Sequence, residues 1–265
     1  MSVDPYELAK QSAAKLAEIT KVSSHDVLVV LGSGWTPAAD ALGQPNSELT
    51  VTDLPGFSAP AVAGHAGKLR SVKVGNSQTL IQMGRTHYYE GKGTAAVVHS
   101  VRTAIASGVK TIILTNACGG LQLKWKPGTP ILIKDHINLT GATPLAGPRF
   151  LDLSEVYSKR LRKIAQDIDS SLEEGVYVQF HGPQYETPAE VQMAIKLGGD
   201  LVGMSTALEA IAAREAQAEV LGISMVTNPG AGLTSEHLNH EEVLAAGLAA
   251  ASRMGDLLKK VIEKL

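Results

Sequence analysis

The sequence is short of cysteine, of aromatic residues and of long apolar runs, and each shortage excludes a class of protein. One cysteine, Cys118, stands among 265 residues. No internal disulfide can form, and a cluster of thiolates around a metal is ruled out. No run of about 18 apolar residues occurs, so no membrane-spanning helix is expected. The N-terminal stretch MSVDPYELAK carries acidic residues and lacks the apolar core of a secretory signal. Neither sign of charge dominates: 24 Lys and Arg stand against 26 Asp and Glu, which leaves no basic field for nucleic acid. A soluble, cytoplasmic protein is the expectation that remains. Apolar residues make up 44% of the chain, enough for a sizeable core.

Aromatics amount to 2 Trp, 6 Tyr and 3 Phe. Trp35, Tyr88, Tyr89, Phe150, Tyr177, Phe180 and Tyr185 fall in or near the motif-bearing stretches below. That clustering suggests a pocket for a ring, with packing at the core edges as the plainer alternative.

Apolar runs of strand length alternate with helical patterns along the whole chain. A helix is expected over 4–20, then a buried strand Val27–Leu31 leading into Gly32-Ser33-Gly34. Thr36 and Pro37 look like the cap and first position of the next helix. Strand, glycine turn and helix is an arrangement that can hold phosphate on backbone N–H groups, although Pro37 denies it a full dinucleotide fingerprint, and a tight structural turn is an equal alternative. Residues 43–68 read as loop. A hairpin follows, Leu69–Val74 with Thr79–Met83 around Gly75-Asn76. Next come a helix Thr94–Ser107 closed by Gly108 and strands Thr111–Leu114 and Pro130–Lys134. A loop over 139–152 precedes a helix Ser154–Ile168. The last third holds a strand Val176–Phe180, a helix from Thr187, a strand Asp200–Gly203, a helix Thr206–Leu221, a strand Ile223–Val226 and a long helix capped by Asn239. No linker or repeat divides this alternation, so the reading is a single α/β domain over residues 1–265.

Two stretches carry the strongest local signals. In QYETPAE, Thr187 is placed to cap a helix with Pro188 at its first position, and Glu190 completes a capping box. Glu190 therefore has a structural role, whereas Glu186, just before the cap, has none. Ser205 similarly precedes a second T-x-x-E signature, Thr206 with Glu209. Arg85 and His87, two apart beyond a strand, face the same way if extended and can hold an anion, with a surface arginine beside a packed histidine as the plainer reading of the pair on its own. Ser33, Arg85, Asn116, Glu186, Ser205 and Asn228 all follow strand ends, where open α/β sheets bind ligands. Helix starts at that position favour anions. Cys118 reads as a small buried thiol and His99 as a core histidine. His237 and His240 lack the further ligand a zinc site needs, and no metal is expected.

The motifs LGSGW, GHAG, GRTHYYEG, TNACGGL, DHINLTG, GPQYETPAE, GMST, VTN and NHEEVLAAG, in this order across nearly the whole chain, resemble the trimeric purine nucleoside phosphorylase family. The resemblance implies a phosphorylase-type α/β fold on a mixed, partly barrel-like central sheet flanked by helices. It implies a homotrimer and reversible conversion of a purine nucleoside and inorganic phosphate into free purine and pentose 1-phosphate, with phosphate as co-substrate and no cofactor. Carried over by position, phosphate is expected on Ser33, His65, Arg85, His87, the Ala117 backbone and Ser205. The base is expected on Glu186 and Asn228 with Tyr185 against its ring. The sugar is expected on Tyr89, Asn116, Met204 and His240, with Phe150 reaching a neighbouring subunit's site. Glu186, Asn228 and His87 are the expected catalytic groups. Alternatives are a methylthioadenosine phosphorylase, for which Asp at position 228 and Thr at position 205 are expected, a non-catalytic nucleoside-binding protein on the same fold, and a dinucleotide-dependent oxidoreductase.

Overall fold

The computed structural model describes residues 4–59, 67–234 and 240–265, with the backbone alone over 240–249. The strands are β1 (Val27–Leu31), β2 (Ser47–Thr50), β3 (Lys68–Val74), β4 (Ser77–Met83), β5 (Thr111–Gly120), β6 (Pro130–Asn138), β7 (Glu173–Gln179), β8 (Leu201–Gly203) and β9 (Glu219–Pro229). The α-helices are α1 (Pro5–Thr20), α2 (Gly93–Val97), α3 (His99–Ala106), α4 (Lys159–Ile168), α5 (Pro188–Lys196), α6 (Ala207–Glu215) and α7 (His240–Ile262). The sheet has nine strands in the order β2-β3-β4-β1-β5-β8-β7-β6-β9, and β9 returns to pair with β5. The second half of the sheet thus closes into a five-stranded barrel, β5-β8-β7-β6-β9, while β2-β3-β4-β1 spreads from it as an open wing. Pairing is mixed, parallel at β4–β1–β5 and β6–β7–β8, antiparallel at β3–β4, β5–β8 and β6–β9.

The run VLVVL in β1 is continuous because both faces of the sheet are covered. Leu28 and Val30 pack with α1, α3 and α6 residues such as Leu16, Val101 and Leu208. Val27, Val29 and Leu31 pack on the other face with Leu161 of α4 and Met254, Leu258 and Val261 of α7. A smaller apolar cluster of Leu121, Val178, Val191, Ala194 and Val202 seats α5 against the barrel. Among the described residues no helix is long and apolar enough to cross a membrane.

Several expected boundaries change. The segment after Gly34 is a 3-10 helix, Thr36–Leu42, in which Thr36 lies inside and no side chain caps the start. The 43–68 loop contains β2 and a short 3-10 turn, Val51–Asp53; alternation in SELT is too short to register as a strand. The expected helix over 94–107 is two helices broken at Val98, whose ψ is 6°. Helix α4 starts late, at Lys159 behind a Ser158 cap that accepts from the Leu161 N–H. Helix α6 stops at Glu215, and Glu219 opens β9 instead. Asn239, the expected cap of α7, lies outside the described residues. Strands β5 and β9 both run several residues further than their apolar cores, because the barrel pairs them along their polar ends.

Candidate active site

Strand β5 creates the site. Its residues 111–114 pair with β1 and its residues 119–120 with β8 on the same side. Between them β1 turns away and β8 has not yet arrived, so 115–118 has no strand neighbour there. Its carbonyls still need donors, and side chains supply them. Arg85 donates through Nη1 to the Thr115 carbonyl at 2.6 Å, and Trp35 donates through Nε1 to the Asn116 carbonyl at 3.0 Å. The gap opens into a cavity of about 310 Å³ lined by loops after β4 and β7 and by the ends of β5, β8 and β9.

The glycine turn after β1 serves this gap by size. Its Gly32 N–H is occupied by the Thr115 hydroxyl, 3.1 Å away. A Cβ at Gly32 would stand 2.7 Å from the Thr115 carbonyl and 2.8 Å from Arg85 Nη1. The turn is close-packed so that Arg85 can cross it, and the helix behind it is a 3-10 helix with an uncapped start. Gly182 has a similar constraint: it has φ of 73°, and a Cβ there would meet Met204 Sδ at 2.6 Å and the Tyr89 ring at 2.9 Å.

Eleven expected residues line the cavity: Ser33, Arg85, His87, Tyr89, Asn116, Ala117, Tyr185, Glu186, Met204, Ser205 and Asn228. His65 and the side chain of His240 lie outside the described residues. Phe150 is not on this chain's cavity and is 98% exposed. The aromatic cluster divides: Tyr89 and Tyr185 face the cavity, whereas Trp35 and Tyr177 are fully buried and Phe180 packs beside α5. Asn116 and Asn228, expected after strands, lie inside β5 and β9.

Arg85 is buried and also donates through Nε to Glu209 Oε1 at 3.1 Å. His87 is held by Glu90, whose Oε1 accepts the His87 backbone N–H at 2.7 Å, and its ring stacks on Tyr89 with centroids 4.8 Å apart. Burial pushes the Tyr89 phenol up to about 12. Ser205 is placed by Tyr177, whose hydroxyl accepts the Ser205 N–H at 3.3 Å. Asn116 donates through Nδ2 to Thr206 Oγ1 at 2.9 Å, while its Oδ1 is buried without a partner among the described residues.

Glu186 differs from the other charged groups here. It is 8% exposed, its Oε1 has no hydrogen-bond partner among the described residues, and burial raises its carboxyl above the usual range. A carboxylate kept dry and unpaired is costly unless a ligand brings donors. Asn228 is aimed by a β-bulge. Cys118 pairs with Val226 and Gly119 with Asn228, so Thr227 is extra; such bulges re-aim side chains next to sites. The Thr227 hydroxyl lies 2.9 Å from Asn228 Oδ1, and Asn228 Nδ2 donates to the Pro229 carbonyl at 2.9 Å, which leaves one amide hydrogen for the cavity.

The sequence reading missed Thr115, Thr206, Glu209 and Thr227. Thr206 and Glu209 shared a local signal, their T-x-x-E spacing, which reported the contact between the Thr206 N–H and Glu209 Oε2 at 2.9 Å but not the reach of the pair to Arg85, Asn116 and Ser205. Cys118 is the inert thiol expected, donating to the Met225 carbonyl at 3.4 Å, with burial pushing its pKa well up, yet it also lines the cavity.

A mixed sheet half closed into a barrel, with a polar cavity where its strands part, defines an α/β protein built around a small-molecule site. The family model of the Phosphorylase superfamily matches residues 26–263. The chain is 53% identical over 268 residues to a purine nucleoside phosphorylase of Cellulomonas sp, covering 99% of this chain and 95% of the relative. It is 54% identical over 261 residues to that of Mycobacterium tuberculosis, covering 98% and 97%. A crystal structure of a schistosome purine nucleoside phosphorylase with hypoxanthine superimposes with a TM-score of 0.90 at 34% identity, over 100% of this chain and 99% of the other. This chain belongs to the purine nucleoside phosphorylase family of that superfamily.

Proposed function

We propose that this chain catalyses the reversible phosphorolysis of 6-oxopurine nucleosides, inosine and guanosine and their deoxy forms, to free purine and (deoxy)ribose 1-phosphate, as a purine salvage enzyme of the cytoplasm. The observation that carries the reading is one cavity lined both by an anion-suited set, Arg85, His87, Ser33 and Ser205, and by a buried carboxylate, Glu186, whose Oε1 has no partner among the described residues. Phosphate and a base with an N–H donor match those two sets.

In this reading a phosphate oxygen attacks C1′ as the bond to the purine nitrogen breaks, through an oxocarbenium-like sugar. Arg85, the hydroxyls of Ser33 and Ser205, His87, His65 and the Ala117 N–H hold the phosphate dianion beside that cation, and little covalent help is required. The purine leaves with negative charge, which the remaining Asn228 amide hydrogen stabilises at N7. Glu186 accepts from N1–H, and for guanine from the 2-amino group. Asn116 Oδ1 accepts from a sugar hydroxyl, with Tyr89, Met204 and His240 around the ring and Tyr185 on the base. No metal or cofactor takes part in this scheme. We take 1–265 as one catalytic domain and the assembly as a homotrimer in which Phe150 completes a neighbour's site. Its exposure supports this, as does the anchoring of its loop by Arg149 to Glu215 (2.7 Å) and Arg102 to the Pro144 carbonyl (2.7 Å).

Inosine incubated with the protein and phosphate is expected to give hypoxanthine and ribose 1-phosphate, and almost nothing without phosphate. Free ribose at a similar rate in phosphate-free buffer would make the protein a hydrolase. Adenosine offers no N1–H to Glu186, and a site built on a polar partner rejects an analogue that leaves it unpaired by up to ~10⁴-fold. Equal catalytic efficiency on adenosine and inosine would overturn the base assignment. In the Asn228→Asp variant the new carboxyl can accept from N6, so adenosine turnover is expected to rise relative to inosine.

A further inference from the structure

Glu209 lies on the first turn of α6, fully buried, and its two oxygens serve two different parts of the cavity wall. Oε1 accepts from Arg85 Nε at 3.1 Å and Oε2 from the Thr206 N–H at 2.9 Å. Thr206 has φ of 83° and ψ of −51°, a left-handed conformation that a side chain with a Cβ adopts only when its surroundings hold it. Its hydroxyl accepts from Asn116 Nδ2 at 2.9 Å and lies 3.1 Å from Ser205 Oγ. One carboxylate therefore touches Arg85 directly and reaches Ser205 and Asn116 through a single strained residue.

We propose that Glu209 is a positioning residue for phosphorolysis. It fixes the Arg85 guanidinium and the Thr206 backbone together, and so sets the spacing between the phosphate groups Arg85 and Ser205 and the sugar group Asn116. The inference rests on the reading of Arg85 as a phosphate ligand. A buried guanidinium needs an anionic partner when the cavity is empty. With Glu209 on Nε and the Thr115 carbonyl on Nη1, the fork is already oriented before phosphate enters, and groups that need not reorient stabilise the reacting charge best. Glutamine at this position has a single acceptor oxygen, so it can keep one of the two contacts but not both.

The test is a double-mutant cycle on purified protein, with inosine and phosphate varied separately: wild type, Glu209→Gln, Arg85→Met and the double variant. Glu209→Gln is expected to raise the apparent KM for phosphate about tenfold, with a change in the inosine KM of less than about threefold. In the Arg85→Met background the same substitution is expected to change the phosphate KM by less than about threefold, because the Arg85 contact is gone and only the route through Thr206 to Ser205 remains. Multiplying effects in the double variant, or an unchanged phosphate KM in Glu209→Gln, would overturn the proposal. If Arg85→Met itself leaves the phosphate KM unchanged, the assignment of Arg85 fails instead. Should Glu209→Gln not fold, by circular dichroism and thermal unfolding, Glu209→Asp takes its place in the cycle. If neither variant folds, Glu209 is a folding residue and the proposal is wrong.

Discussion

Two helices begin with the same signature, Thr-x-x-Glu, and only one of them begins in the ordinary way. At α5, Thr187 is extended, with φ of −71° and ψ of 158°. Its hydroxyl accepts the Glu190 N–H at 3.2 Å and Glu190 Oε2 accepts the Thr187 N–H at 2.7 Å, both in contact with solvent. At α6, Thr206 has φ of 83° and ψ of −51°; its N–H is accepted by Glu209 Oε2 at 2.9 Å, but its hydroxyl turns to Asn116 and Ser205. Gln179, at the end of β7, caps this helix instead: its Oε1 accepts the Ala207 N–H at 2.8 Å and the Leu208 N–H at 3.4 Å. The Thr206 hydroxyl is thereby released to Asn116 and Ser205, and Glu209 keeps the Thr206 N–H on Oε2 while turning Oε1 to Arg85. A helix start that is capped from elsewhere can give its own capping residues to a site.

The largest expected effect separates the two glutamates. Glu209→Ala removes the carboxylate from a buried guanidinium and is expected to cost about 3–5 kcal/mol, read as the shift in urea unfolding. Glu190→Ala, at the exposed box, is expected to cost about 1 kcal/mol. Similar losses at both positions would erase the distinction. Next is Arg85→Ala, which removes charge-assisted bonds of about 1.5–3 kcal/mol to phosphate. The apparent phosphate affinity should weaken more than tenfold (from the same energies), with a smaller change for the nucleoside; an unaltered phosphate dependence would place Arg85 outside the anion site.

A smaller effect sharpens the neighbouring contrast between capped Glu190 and unpaired Glu186. Glu186→Gln keeps an acceptor oxygen but loses the charge, which is expected to lower kcat/KM for inosine by about 1 kcal/mol, or several-fold. Burial raises the Glu186 pKa, so its proton is lost at higher pH in the folded protein than in the unfolded chain. Stability contributed at this position is therefore full below the unfolded value and falls as pH rises through the folded one. Activity runs the other way, since the ionised form accepts N1–H. The acid limb of the kcat/KM profile should lie above the ordinary glutamate range and disappear in Glu186→Gln. A limb that persists in the variant belongs to another group. The smallest effect is Thr187→Ala, which removes a solvent-exposed cap worth about 1 kcal/mol and should leave both KM values unchanged. A change in phosphate or inosine KM would show that the α5 cap also reaches the site.

The sequence alone fixed a good deal of this protein. The apolar runs of β1, β3, β4 and the start of β5 mark strands because both faces of the sheet are covered, and the cap at Thr187 is legible because all its partners lie within four residues. Residue types at strand ends located six lining residues of the cavity, Ser33, Arg85, Asn116, Glu186, Ser205 and Asn228, since ligands bind where strands stop and polar side chains there have no packing role; the resemblance supplied the rest. The ordered motifs located the family. Tertiary structure decided the rest. It put Asn116 and Asn228 inside strands, because barrel closure supplies hydrogen-bond partners that no local apolar pattern reports. It buried Trp35 and Tyr177, which sequence grouped with the cavity aromatics. It also gave Glu209, which still accepts the Thr206 N–H at the helix start, a second partner in Arg85. Local sequence determines what lies within a helical turn or along one strand. The Arg85–Glu209 contact joins residues 124 positions apart, and only the folding of β5 between β1 and β8 brings them together.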